Sequence, residues 1–198
     1  MVPLQHRSPE PAALTTFTAS HPTAPVADFD RPAFNAVKSG IKAALNEDQG
    51  GLCAYCECKL APTEGHIDHI KPKGGPSARP DLCFSYTNYA HSCSTARRCG
   101  DQKKARLLPI EPVPGCNDRW SLSTVDGRIV WREDLQRLQR VPVNETIGML
   151  GLNQNELADD RMTWIDRASQ LLSQDAAALP TFIATAPYRH LLADLFSA

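Results

Sequence analysis

Seven cysteines stand at positions 53, 56, 58, 83, 93, 99 and 116, and six of them fall between residues 51 and 106. The count is odd, and the first residues lack the basic-then-apolar order of a secretory leader, so reduced thiols are expected rather than a disulfide framework. Some of those thiols should bind metal. The same stretch is the basic part of the chain. Residues 51–106 carry 9 Lys/Arg against 5 Asp/Glu, residues 1–50 carry 4 against 5, and residues 107–198 carry 8 against 12. The net charge of −1 therefore conceals a positive middle that can favour a polyanion locally. At 198 residues, 42% hydrophobic and 22% charged, the chain suits one globular domain with at most a small appendage. No apolar run approaches the ~18 residues of a membrane span, so no membrane association and a cytoplasmic location are expected.

The pattern along the chain predicts an α+β fold. Residues 1–32 hold six of the sixteen prolines and read as an irregular arm. A helix is predicted over 31–47, with Pro32 at its first position and Phe34, Val37, Ile41 and Leu45 at helical spacing. Gly50 and Gly51 end it. Residues 52–107 read as short strands and loops with a short helix near 101–107. Asp126-Gly127 marks a hairpin between Trp120 and Trp131. Beyond it, Asn153 and Glu156 resemble a capping box, and Leu157, Trp164, Ile165, Ala168, Leu171 and Leu172 line one helix face. A last helix is predicted from Pro187, carrying Leu191, Leu192, Leu195 and Phe196. The resulting division is 1–48 (arm and helix), 49–108 (cysteine-rich core) and 109–198 (hairpin and helices). The last part either packs on the core or serves for docking.

Cys53-Ala-Tyr-Cys56 can supply half of a tetrahedral zinc site, and Cys93 and Cys99 can supply the other half. Two alternatives stay open from spacing: Cys53 and Cys56 with His66 and His69, or Cys58 in place of Cys56. The cysteines outside the site (Cys58, Cys83 and Cys116) are expected to be small buried hydrophobes. Between the two halves lies Gly65-His-Ile-Asp-His-Ile-Lys-Pro-Lys73. On a regular strand His66 and Asp68 share a face and His69 points away, so a bulge or turn is expected to unite His69 with Asp68. Asn88 offers an amide that can fix a histidine tautomer.

These residues carry a resemblance. Gln49-Gly-Gly-Leu-Cys-Ala-Tyr-Cys-Glu57, His66-Ile-Asp-His-Ile-Lys-Pro-Lys73, Tyr86-Thr-Asn88, Ser92-Cys93 and Cys99-Gly-Asp-Gln-Lys103 resemble an HNH endonuclease. Glu10-Pro-Ala-Ala-Leu14, Leu150-Gly-Leu-Asn153 and Arg161 fit as well. More narrowly, the chain resembles the HNH nucleases found with retrons and in Septu-type phage-defence systems, the small partner of an ATPase. The resemblance implies a ββα-metal core braced by structural zinc at Cys53, Cys56, Cys93 and Cys99. It implies His69 as general base, Asp68 as ligand of a catalytic magnesium or manganese ion, and Asn88 as the residue that orients His69. DNA is the implied substrate, with an ATPase subunit and a retron as implied partners.

One position departs from the family pattern. Many HNH proteins carry a metal ligand directly after the last cysteine, where this chain has Gly100. Asp101 is the nearest substitute, or a carboxylate at a helix N-terminus, and His66 is the reserve. Magnesium's preference for oxygen favours Asp101. The alternative functions are a zinc-braced binding module with a degenerate site and a stand-alone nicking or repair nuclease. Lys71, Lys73, Arg97, Arg98, Lys103 and Lys104 are the candidate phosphate contacts.

Overall fold

Two prolines set the starts of the first two helices. Pro11 immediately precedes α1 (Ala12–Ser20), and Pro32 opens α2 (Pro32–Asp48), where a missing N–H breaks no helical bond. The computed structural model describes residues 1–197. An irregular arm is expected over 1–32, yet the chain forms α1 and a 3₁₀ turn over Val26–Asp30. Packing explains the difference: Leu14, Phe17 and Phe29 bury themselves against Phe34, Ile41 and Leu45 of α2. A short helix of this kind owes its stability to such contacts more than to its own propensity.

The central sheet has two antiparallel strands, β1 (His66–His69) and β2 (Tyr89–Ser92), with His66 opposite Ser92 and His69 opposite Tyr89. It separates two cores. Ile67 and Tyr89 belong to the α1–α2 cluster, whereas Ala90 belongs to a larger cluster around the cysteines. α3 (Cys99–Lys103) follows, ending four residues earlier than the pattern predicts because Lys104 adopts φ +53°.

β3 (Trp120–Leu122) and β4 (Ile129–Trp131) form the expected hairpin, with Gly127 at φ +68° in its turn. α4 (Arg137–Leu150) has no counterpart in the sequence reading, because Pro142 lies inside it and hides the helical pattern. The capping box belongs to this helix, on Gln136 and Gln139. Asn153 does not cap α5 (Asn155–Gln174); its amide instead pairs with both backbone groups of Ile129 on β4, at 2.8 Å each. Leu172, placed on the buried face by pattern, is 46% exposed. α6 (Leu179–Thr185) and α7 (Arg189–Phe196) close the chain, the latter starting two residues after Pro187. The larger core draws on both the middle and the C-terminal third, through Leu52, Trp120, Leu150, Ile165 and Leu192.

Buried Gln49 ties these parts to the sheet. Its amide nitrogen donates to the carbonyls of Leu52 and His91 (2.7 and 2.9 Å), and its oxygen accepts from His91 N at 2.7 Å. No helix among the described residues is long and apolar enough to cross a membrane.

Candidate active site

The segment after Gly51 doubles back. Leu52 bridges Lys59, Cys53 N donates to Cys58 O at 2.9 Å, and Glu57 takes the left-handed φ of +62°. This knuckle presents Cys53 and Cys56 toward Cys93, which leaves β2, and Cys99, which opens α3. All four side chains are buried, and their sulfurs lie within 4.8 Å of one another, Cys56 and Cys93 at 3.9 Å. A tetrahedral zinc with its usual thiolate bonds needs sulfurs ~3.8 Å apart, so the quartet fits such an ion. Hydrogen bonds from Cys53, Cys56 and Cys99 draw Cys93 far below the ordinary thiol range. Neither rival set is assembled: Cys58 lies against the Tyr188 hydroxyl, and His66 and His69 face a cleft instead. Cys83 and Cys116 are buried, while Cys58 is half-buried.

That cleft, of about 680 Å³, runs along the open edge of β1 and is walled by α2 and by residues 72–74 and 104–105. His66, Asp68 and His69 all line it. The expected bulge is absent, since the β1–β2 register is unbroken. Side chains from both faces reach the cleft because no further strand covers this edge.

His69 is buried, and its Nε2 lies 3.0 Å from the carbonyl of Cys83. A carbonyl only accepts, so Nε2 carries the proton and Nδ1 is the basic nitrogen. Tyr89 donates its hydroxyl to the same carbonyl at 2.6 Å and meets the His69 ring edge-on. Burial pushes the His69 imidazole down to about 4, outweighing the Cys83 hydrogen bond, with Lys73 adding to the fall. The ring is thus neutral near pH 7.

Asp68 is gripped on one oxygen. Its Oδ2 accepts from the Tyr55 hydroxyl at 2.5 Å and pairs with Lys103 Nζ at 3.1 Å, which leaves Oδ1 for the cleft. Lys103 is 0% exposed and also donates to the His69 carbonyl at 2.6 Å. This corrects its reading as a phosphate contact: the ammonium is sealed under β1, where it positions the Asp68-His69 pair. Tyr55 was missed because nothing in a Cys-x-x-Cys spacing reveals where the intervening side chain points.

Asn88 does not hydrogen-bond His69. Its oxygen accepts from Lys71 N at 2.8 Å, and its nitrogen donates to the carbonyls of Lys71 and Leu82 at 3.0 and 3.2 Å. It pins the chain leaving β1 and leaves the His69 ring to Cys83. Asn88→Ala should therefore cost about 2–3 kcal/mol, three part-buried hydrogen bonds at about 1 kcal/mol each, in urea unfolding. A midpoint equal to wild type would contradict this clamp.

Asp101 accepts a hydrogen bond from Arg97 N at 2.7 Å, is exposed, and does not line the cleft. Gly100 has a different use: a Cβ there would lie 2.5 Å from His66 Nε2. The ring of His66 fills the space that a side chain at 100 would need, with Nδ1 3.2 Å from Ser94 Oγ. Of the remaining basic candidates, Lys73 and Lys104 line the cleft. Lys71 is half-buried beside it, Arg97 lies on a separate surface with Gln154 and Glu156, and Arg98 is half-buried and donates to Thr95 Oγ1.

No family model matches the chain. It is 39% identical over 178 residues to a Vibrio cholerae serotype O1 biovar El Tor protein named "Retron Vc95 putative HNH endonuclease", covering 87% of this chain and 86% of that one. A stretch of 78 residues is 32% identical to Septu protein PtuB of Bacillus thuringiensis, covering 38% of this chain and 28% of that protein. At 39% identity over nearly the full length of both proteins, the chain belongs to the HNH endonuclease family associated with retrons.

Proposed function

We propose that this chain is a metal-dependent endonuclease that hydrolyses DNA phosphodiester bonds, acting as the nuclease of an antiphage complex with an ATPase. The observation that carries the reading is the placement of His69, its Nε2 committed to Cys83 and its ring sharing a cleft with Asp68. In this reading β1, β2 and α3 are the ββα-metal core, and zinc on the four cysteines braces it. His69 takes the proton of the attacking water at Nδ1. Asp68 Oδ1 and His66 Nε2 would hold a magnesium or manganese ion, which when bound supplies charge stabilisation for the departing 3′ oxygen. Tyr55 and Lys103 keep Asp68 oriented for that task. Gly100, the feature that favours a decayed binding module, is the place where His66 enters. The chain has no Gly-x-x-x-x-Gly-Lys-Ser/Thr segment, so ATP chemistry in such a complex belongs to the partner.

Metal titration of plasmid cleavage, paired with calorimetric manganese binding, tests the ligand set. His66→Ala should raise the metal needed at half-maximal rate by at least about tenfold, or about 1.4 kcal/mol. Asp101→Ala should leave it near wild type. The opposite ranking in both measurements would return the role to Asp101.

A further inference from the structure

Beside His69 sits an ion cluster that the reaction as described does not use. The Phe29 ring lies 4.5 Å from the His69 ring and carries Lys38 Nζ at 4.1 Å and Lys73 Nζ at 4.2 Å from its centre. Both ammonium groups converge on one carboxylate: Lys38 meets Asp30 Oδ1 at 3.2 Å, and Lys73 meets Oδ2 at 2.7 Å. The lysine side chains are only 23% and 27% exposed, whereas that of Asp30 is 69% exposed. All three residues, with Phe29, line the cleft that holds Asp68 and His69. Lys42 lines it too, its ammonium turned to the carbonyls of Thr63 and Glu64.

Two cations gripping two oxygens of one anion match the two non-bridging oxygens of a phosphodiester. The cations are built in: Lys38 comes from α2, Lys73 from the segment after β1, and Phe29 separates them from the core. The anion is the exposed member, on a short turn, so solvent and a competing anion can reach it. We propose that Lys38 and Lys73 form a seat for a backbone phosphate of the DNA strand beside the scissile one, and that Asp30 fills this seat until DNA displaces it. The Phe29 ring bridges the two places, in contact with the His69 ring and with both ammonium groups, so a strand whose scissile group lies at His69 would run a neighbouring phosphate toward the seat. The inference rests on the nuclease reading for its choice of ligand.

Fluorescence anisotropy of a short labelled DNA duplex, over a salt series in a His69→Ala background, tests it. Asp30→Asn should tighten binding by about three- to tenfold. Lys38→Gln and Lys73→Gln should each weaken it and lower the salt slope by about 1, uniformly across sequences. Unchanged affinity in Asp30→Asn, or unchanged slopes in both lysine variants with wild-type melting curves, would overturn the seat. The two readings fail separately. A wild-type chain that cleaves DNA while Asp30→Asn binds unchanged loses only the seat. A chain that binds in the expected pattern but never cleaves loses only the nuclease.

Discussion

His69→Ala is expected to lose about 10²- to 10⁴-fold in DNA cleavage, the usual contribution of a positioned acid–base group. Zinc content should stay at the wild-type level, because His69 is no part of the cysteine cluster. The magnitude follows from the geometry. The Cys83 carbonyl fixes the proton on Nε2, and burial among Phe29 and Tyr89 keeps the ring uncharged, so the variant removes a base ready at neutral pH. Single-turnover rates on plasmid DNA would check this, with His69→Gln as a companion that fills more of the vacated space. Turnover within a few-fold of wild type in a folded variant would remove His69 from the chemistry.

If the four cysteines hold the proposed zinc, its loss should act on the whole middle of the chain. Structural zinc contributes about 10–16 kcal/mol of apparent binding energy at neutral pH, against a typical domain stability of about 5–15 kcal/mol. A Cys53→Ser, Cys99→Ser double variant is therefore expected to lose its zinc and its cooperative unfolding transition. The cleft would go with it, because Tyr55 stands between Cys53 and Cys56 and donates to Asp68, and Lys103 reaches Asp68 from the helix that Cys99 opens. Elemental analysis should find about one zinc per wild-type chain, and circular dichroism should report the collapse. Full zinc content in the double variant would contradict the four-cysteine assignment.

What could be read from sequence was local. Pro32 with apolar residues at helical spacing announced α2, Asp126-Gly127 announced the hairpin, and paired thiols announced the cluster that the fold assembles. What escaped depends on distant parts meeting. The partner of His69 is a backbone carbonyl, which leaves no trace in residue type. Lys103 looked like a surface cation, yet the fold buries it against Asp68, thirty-five residues earlier in the chain. Phe29, Asp30 and Lys38 lie outside the cysteine-rich segment and join the cleft because α2 packs on β1 and the 3₁₀ turn over Val26–Asp30 packs on α2. Gly100 reads in sequence as a missing ligand, whereas in the fold the ring of His66 occupies the space a side chain there would need. Asn153 satisfied a capping pattern but was claimed by an edge of β4, whose unpaired backbone groups it completes.

The chemistry of the cut ends tests the central claim most directly. If His69 delivers water in line with a departing 3′ oxygen, wild-type protein supplied with magnesium or manganese, together with the proposed ATPase partner, should leave ends that a DNA polymerase extends without prior phosphatase treatment. Over the time in which wild type completes the reaction, His69→Ala should leave at most about one hundredth as many such ends. Ends that require 3′-phosphate removal, or extendable ends in equal yield from the His69→Ala protein, would contradict the account.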